Sequence, residues 1–234
     1  MTAQTQHVWI TRAQPGAAAT ARRLRARGFE PWVKPLLKVR PLAVSLPDLT
    51  AFGSLAFTSA NGVRAFAALT AARDLPVMAV GLATARAARR AGFQRVQSAD
   101  GDVETLARTL NQATWSRDKP ILHVSASEPS GDLAGSLART GLRAETLKVY
   151  ETIPVLPSKD SLDRLGDLDF VLIHSARAAK VLADVLARRP CPNLKVLGIS
   201  EAALAPLTHT PLALRAPAPL PLELALVSLL EDVS

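Results

Sequence analysis

The stretch HVWITRAQPGAAATARRLRARGFEPWVKPLLKVRP (His7–Pro41) returns in altered form as PILHVSASEPSGDLAGSLARTGLRAETLKVYETIP (Pro120–Pro154). Gly28 falls on Gly141, Leu24 on Leu137 and Pro41 on Pro154, all at one constant spacing. A second echo sets LAFTSANGVRAF (Leu55–Phe66) against VLIHSARAAKVL (Val171–Leu182), with Ser59 on Ser175. A third sets AVGLATARAA, around Gly81, against VLGISEAALA, around Gly198. The two halves are therefore similar structural units, and a cleft between two such units is where a large ligand is expected to sit.

Working outward from the repeat, short apolar runs alternate with Ala-rich stretches along the whole chain. Val8–Thr11, Trp32–Leu37, Leu55–Thr58, Val77–Gly81, Ile121–Val124, Ala144–Tyr150, Phe170–His174 and Val196–Ile199 read as strands. Gly16–Arg27, Gly62–Ala72, Ala83–Ala91, Val103–Gln112, Leu133–Thr140, Ala176–Arg188 and Leu220–Leu230 read as helices. Gly28, Gly92 and Gly141 stand just past three of these, where a left-handed C-cap favours glycine. Strand–helix alternation of this length predicts an α/β fold of two similar domains, each a parallel sheet covered by helices on both faces.

Ligands of such sheets bind beyond the carboxyl ends of the strands, so the residues that follow each strand are the candidates. They are Thr11 and Arg12, Thr58 and Ser59, Gly81 with Thr84, Ser125 with Ser127, His174 and Ser175, and Gly198 with Ser200. Small hydroxyl residues at these turns can cap the next helix, touch a ligand, or do both, and the N–H groups of a helix start favour anions.

Composition narrows the possibilities. The 234 residues suffice for two domains of about 100 residues each. The core is built from Ala, Leu and Val, since aromatics make up only 4%. The single cysteine, Cys191, excludes an internal disulfide and any multi-cysteine metal site, and fits a reducing compartment. The N-terminus lacks a secretory pattern and no apolar run reaches the length of a membrane span, so the reading is a cytoplasmic protein. The net charge of +8 favours polyanions, among them small molecules with several carboxylates. Arg22, Arg23, Arg25 and Arg27 read as the wet face of a surface helix. Stacking aromatics on a basic surface are absent, which argues against nucleic acid. There is no phosphate loop, no GxGxxG, no nucleophile elbow and no metal-ligand spacing among His7, His123, His174 and His209. Neither cofactor nor metal is expected.

The order ITRAQPG, LAFTSANGVRAF, VGLATARAARRAG, DVETLARTL and LKVYETIP, continued by FVLIHSARAAKVLADVL, VLGISEAALAPL and PLPLELALVSLL, resembles the uroporphyrinogen-III synthase family from about Val8 to Leu230. The resemblance implies two domains that do not coincide with the repeat. Domain one would hold residues 1–36 and 153–234 and domain two residues 37–152, joined by crossing strands near Pro35–Arg40 and Val149–Pro154. The prolines at 35, 41, 47, 154 and 157 punctuate the same boundaries.

The implied chemistry is closure of hydroxymethylbilane, a linear tetrapyrrole with eight carboxylates, to uroporphyrinogen III with inversion of the last ring. That task depends on positioning more than on strong acid–base groups. Its general acid would be Tyr150, the only tyrosine in the chain, whose alternative role is a half-buried strand aromatic at a hinge. Arg12, Thr58, Ser59, Gly81, Thr84, Ser125, Ser175, Gly198 and Ser200 would bind substrate. The protein would act as a monomer without nucleic acid or membrane partners, with transient handover from the upstream bilane synthase. Glu201 departs from the family pattern, which places a hydroxyl residue there, and His174 stands where a small or aromatic residue is common. Two other classes stay in view, the first of them supported by Glu201. One is a diverged, non-catalytic binder of tetrapyrroles or polycarboxylates, and the other a two-lobed sugar or amino-acid binding module.

Overall fold

A computed structural model describes residues 5–14, 16–113, 118–129 and 131–234. From the N-terminus run β1 (His7–Ile10), α1 (Gly16–Arg25), β2 (Glu30–Val33), β3 (Leu37–Pro41), β4 (Ser54–Phe57), α2 (Ala60–Leu69), β5 (Val77–Ala79), α3 (Leu82–Arg90), β6 (Val96–Ser98) and α4 (Val103–Gln112). There follow β7 (Ile121–Ala126), α5 (Leu133–Ala138), β8 (Ala144–Pro154), α6 (Lys159–Asp163), β9 (Phe170–Ile173), α7 (Ala176–Arg188), β10 (Lys195–Gly198), α8 (Glu201–Leu204), β11 (Leu214–Pro217) and α9 (Glu223–Asp232). The chain divides into two compact units, Met1–Lys38 with Ile153–Ser234, and Val39–Thr152.

The discontinuous unit carries a five-stranded sheet in the order β11-β10-β9-β1-β2, with every ladder parallel. Its central strands read as unbroken apolar runs because both faces are covered. Val8 and Ile10 of β1 join Leu24 of α1 and Leu226 and Leu230 of α9 in one core layer. Trp9, between them, faces the opposite layer with Leu182 and Leu186 of α7. In α1 the buried positions Ala17, Thr20, Ala21 and Leu24 form the inward stripe, which leaves Arg22 and Arg25 exposed; Arg23 is half-buried, and Arg27, also exposed, stands just past the helix.

The continuous unit carries a six-stranded sheet, β3-β8-β7-β4-β5-β6, whose ladders from β8 to β6 are parallel. Phe57, Leu122 and Val124 pack with Phe66 and Phe93 on one face. Ala56, Met78 and Ile121 pack with Leu106, Leu110 and Leu137 on the other. Between Ser125 and Ala126 the register with β8 slips, so that Ser125 opposes Lys148 and Ala126 opposes Tyr150. Val149 is the extra residue of a bulge that re-aims Tyr150.

Where the repeat sets Gly28 on Gly141, both glycines have left-handed backbone, with φ of +85° and +80°. Phe29 N–H donates to Leu24 O and Gly28 N–H to Arg25 O, and Leu142 and Gly141 repeat the pair toward Leu137 and Ala138. These are Schellman caps, sealed by the Leu24–Phe29 and Leu137–Leu142 contacts. A Cβ at either glycine would meet nothing within 4 Å. Gly28→Ala and Gly141→Ala are therefore expected to cost only the strain of the positive φ, about 1 kcal/mol each, read as a lowered urea midpoint. A much larger loss at either position would contradict this account.

The expected strand Trp32–Leu37 divides into β2 and β3: Lys34 and Leu36 still donate to Ile10 O and Thr11 O, but the chain then leaves β1 and pairs with β8 instead. The C-terminal helix begins at Glu223 rather than Leu220, since Pro221 disfavours helical backbone at Leu220 and residues 219–222 bend, with Leu222 N–H donating to Leu220 O at 2.7 Å. Among the described residues no helix is long and apolar enough to cross a membrane.

Candidate functional site

Both sheets reverse their winding at their centres. From β1 the chain passes through α1 to β2 on one side, and it later fills β9, β10 and β11 on the other. From β4 it passes through α2 to β5 on one side, whereas β7 continues through α5 to β8 on the other. The switch points are thus the β1/β9 pair and the β4/β7 pair, and the carboxyl end of such a pair is where an open α/β sheet offers a crevice. Arg12 follows β1, Ser175 follows β9, and Thr58 and Ser59 follow β4.

In the discontinuous unit the Thr11 hydroxyl is buried and donates to Leu172 O at 2.7 Å, tying β1 to β9 just before the crevice. Ser175 caps α7, its Oγ accepting from Ala178 N–H at 3.3 Å. Arg12 does not stand alone. Its Nη1 donates to Glu223 Oε2 at 2.5 Å, and the same oxygen lies 2.9 Å from His174 Nε2. Thr20 donates to the other oxygen, Oε1. Gly16 leaves room for the guanidinium, since a Cβ there would lie 2.5 to 2.7 Å from its atoms.

Burial by itself pushes the Glu223 carboxyl up. The hydrogen bond and charge of His174, the Thr20 hydroxyl and the Arg12 guanidinium outweigh it and hold the pKa at about 2. With the carboxylate ionised, His174 Nε2 must carry the proton that bridges them. His174 Nδ1 is buried without a partner among the described residues.

Gly198 is the last residue of the next strand over, β10, and Ser200 follows it. Ser200 caps α8, accepting from Ala203 N–H at 3.3 Å. Glu201, which departs from the family pattern, has a 63% exposed side chain and accepts from Arg215 of β11 at 2.7 Å. Its charge is met there, and it also suits the first turn of a helix.

In the continuous unit Ser59 caps α2, its Oγ accepting from Asn61 N–H at 3.0 Å. Gly81 caps α3 by its backbone conformation, without a side-chain bond, and Thr84 is buried in the first turn of that helix. Thr58 is half-buried. Ser125 lies within β7 rather than after it, because the strand runs on to Ala126. Its hydroxyl is buried without a partner among the described residues, and the turn position belongs to Ser127, whose N–H donates to Tyr150 O at 2.7 Å. Tyr150 is 6% exposed and packed among Phe57, Val63 and Val124. A Cβ at Gly62 would lie 3.7 Å from the Tyr150 ring and 3.1 Å from Val124 O. This glycine therefore lets the first turn of α2 approach both the tyrosine and the central strand. Burial pushes His123, on β7, down to about 4 against an opposing pull from Asp132, so it is neutral near pH 7.

These two groups predict a staged acid response. A lowered folded-state pKa gives stability that is fully present above the unfolded value and is lost as pH falls through the folded one. His123 sets the first window, from 6.5 toward about 4. Glu223 sets the second, from 4.5 toward about 2, where the exposed helix caps Asp48 and Asp102 are lowered in the same sense. Urea midpoints measured against pH are expected to fall in two stages, with His123→Gln flattening the first and Glu223→Gln the second. A native midpoint that stays level from pH 6.5 to 4 would refute the assignment of His123.

Fold and site together define a two-unit α/β protein, with anion-suited turns and hydroxyl caps repeated at the carboxyl ends of two parallel sheets. The sequence profile described as Uroporphyrinogen-III synthase HemD matches residues 18–215. A uroporphyrinogen-III synthase of Chlorobaculum parvum is 30% identical over 172 residues, covering 69% of each chain. The chain belongs to the uroporphyrinogen-III synthase family. Two solved structures share the fold. Uroporphyrinogen-III synthetase of Helicobacter pylori has 18% identity and a TM-score of 0.71, covering 99% of this chain and 100% of its own. A mutant uroporphyrinogen III synthase of Thermus thermophilus has 17% identity and a TM-score of 0.55, covering 98% and 99%.

Sequence reasoning passed over Glu223 and Gly62. An acid at a helix start is ordinary, so nothing marked Glu223. Gly62 stood inside the quoted SANG run, and a glycine in the first turn of a helix was the available sign of a close approach.

Proposed function

We infer that this protein closes hydroxymethylbilane to uroporphyrinogen III with inversion of the last ring, the reaction of the family to which it belongs. The observation that carries the reading is the family match across residues 18–215. Hydroxyl-capped helix starts at both sheet switch points give it support of a different kind. Loss of the terminal hydroxyl as water leaves an electrophilic azafulvene, whose methylene carbon is attacked by the substituted carbon of the last pyrrole, and the spiro intermediate rearranges to product. The uncatalysed substrate closes to the unrearranged isomer, so the protein's contribution is to fold the chain and direct the attack.

In this reading the substrate carboxylates are held by N–H groups at the starts of α2, α3 and α7, by the hydroxyls of Thr58, Ser59, Thr84, Ser175 and Ser200, and by Arg12. Gly81, beside which a Cβ would meet nothing within 4 Å, lets the backbone come close, whereas the space at Gly198 is taken by Leu204. Tyr150 donates the proton that turns the leaving hydroxyl into water. The protein works in the cytoplasm as a monomer and receives its substrate by transient handover from the upstream bilane synthase.

The test is an isomer assay. Hydroxymethylbilane, generated in place by its synthase, is incubated with and without the protein, oxidised, and resolved into type I and type III porphyrins. Type III is expected to predominate with the protein present. Type I alone, from a folded sample, would overturn the reading in favour of a non-catalytic binder.

A further inference from the structure

Glu223 gathers three residues from three separate segments of the discontinuous unit. Arg12 comes from the turn after β1, Thr20 from α1, and His174 from the turn after β9. The two turns belong to the strands of the switch point. One oxygen, Oε2, serves both Arg12 and His174, so a single carboxylate fixes one turn against the other. The glutamate side chain is 19% exposed, His174 is 10% exposed and Arg12 is 33% exposed. The histidine is therefore enclosed, while part of the guanidinium remains open to solvent. Among the described residues Arg12 bonds Glu223 through Nη1. Its Nε and Nη2 lie beside Gly16, whose missing Cβ keeps them clear, and an arginine has five N–H donors in a fixed fork, so the exposed third of the side chain can present donors to a second carboxylate.

We propose that Glu223 is a positioning residue for substrate binding: it orients the Arg12 fork and holds the His174 ring with Nε2 against its own carboxylate, setting the β1 and β9 turns at the spacing that a substrate carboxylate requires. The proposal rests on the reading that these turns hold substrate carboxylates. Glu223 does not itself touch substrate. Its role opposes simple charge attraction, and this makes the two separable. Removing a carboxylate raises the positive charge of the site, which by Coulomb attraction alone would tighten binding of a polyanion. Loss of positioning acts in the other direction.

The experiment compares KM and kcat for type III formation in Glu223→Ala, Glu223→Gln and Arg12→Ala. Glu223→Ala is expected to raise KM about tenfold with kcat within about threefold. Glu223→Gln makes the same change in charge but keeps an oxygen of equal reach, and is expected to restore KM to within about threefold of native. Arg12→Ala is expected to raise KM as well. Should the alanine variant not fold, Glu223→Asp carries the same expectation as Glu223→Ala, since it keeps the charge but draws the carboxylate back by one methylene. A KM at or below native in folded Glu223→Ala or Glu223→Asp, with Arg12→Ala still impaired, overturns the positioning role and leaves the binding reading intact. An unchanged KM in Arg12→Ala removes the binding reading at these turns, and the proposal with it.

Discussion

Gly198→Ala is expected to lower stability by about 2–3 kcal/mol and to reduce type III formation roughly tenfold or more. A Cβ at Gly198 would lie 2.7 Å from Leu204 Cδ2 and 2.9 Å from Leu204 Cδ1, with the branch point of the side chain closer still. Leu204 has no room to yield, since it is fully buried in the layer that also holds Leu182, Val196 and Leu207. The new methyl must therefore push α8 off the end of β10, and Ser200, which caps α8, moves with it. The double variant Gly198→Ala/Leu204→Ala separates this clash from other causes. Leu204→Ala alone leaves a cavity and is expected to cost about 2–5 kcal/mol, but that cavity accepts the added methyl. The double variant should then fall well short of the sum of the two single losses in urea unfolding. Strict additivity, or a stable and fully active Gly198→Ala, would refute the packing account.

The repeat made the architecture legible for a physical reason. Central parallel strands are buried on both faces, so β1, β4, β7, β9 and β10 announce themselves as apolar runs wherever they stand. Glycines at positive φ behave likewise, as Gly28, Gly92 and Gly141 show. Edge elements carry no such mark. β6 (VQS) and β11 (LRAP) are short and half-exposed, and α6 (KDSLD) and α8 (EAAL) span barely one turn, so periodicity had nothing to register. For the site, the turn positions followed from strand ends, and errors entered only where an end was misjudged. Ser125 seemed to follow its strand because the polar letters of HVSA looked like a boundary, whereas β7 continues through them to Ala126. The Arg12–Glu223–His174 cluster was invisible because it joins residues as far as 211 positions apart. No local pattern links them, and each alone has an ordinary explanation.

Tyr150→Phe is expected to reduce the rate of type III formation by about two orders of magnitude, the usual worth of a positioned general acid, while stability changes by about 1 kcal/mol or less. The structure supplies the placement on which this rests. The bulge at Val149 turns Tyr150 opposite Ala126 at the end of β7, and the missing side chain of Gly62 brings the ring beside the first turn of α2, which Ser59 caps. The tyrosine thus lies next to the switch-point turn that the proposed function assigns to substrate. A phenol suits departure of a hydroxyl because it donates a proton while itself uncharged, without needing a buried ion. Spontaneous closure to the type I product continues in any variant, so slower catalysis shows twice, as a lower rate and as a rising share of type I. Tyr150→Leu separates the hydroxyl from the ring, since it also removes the aromatic packed against Phe57 and Val63 and is expected to lose stability that Tyr150→Phe keeps. If Tyr150→Phe retains the native rate and isomer ratio while Tyr150→Leu is destabilised, the ring serves packing alone. The proton for the leaving hydroxyl must then come from another donor, and the turn after β7 at Ser127 is the next place to look.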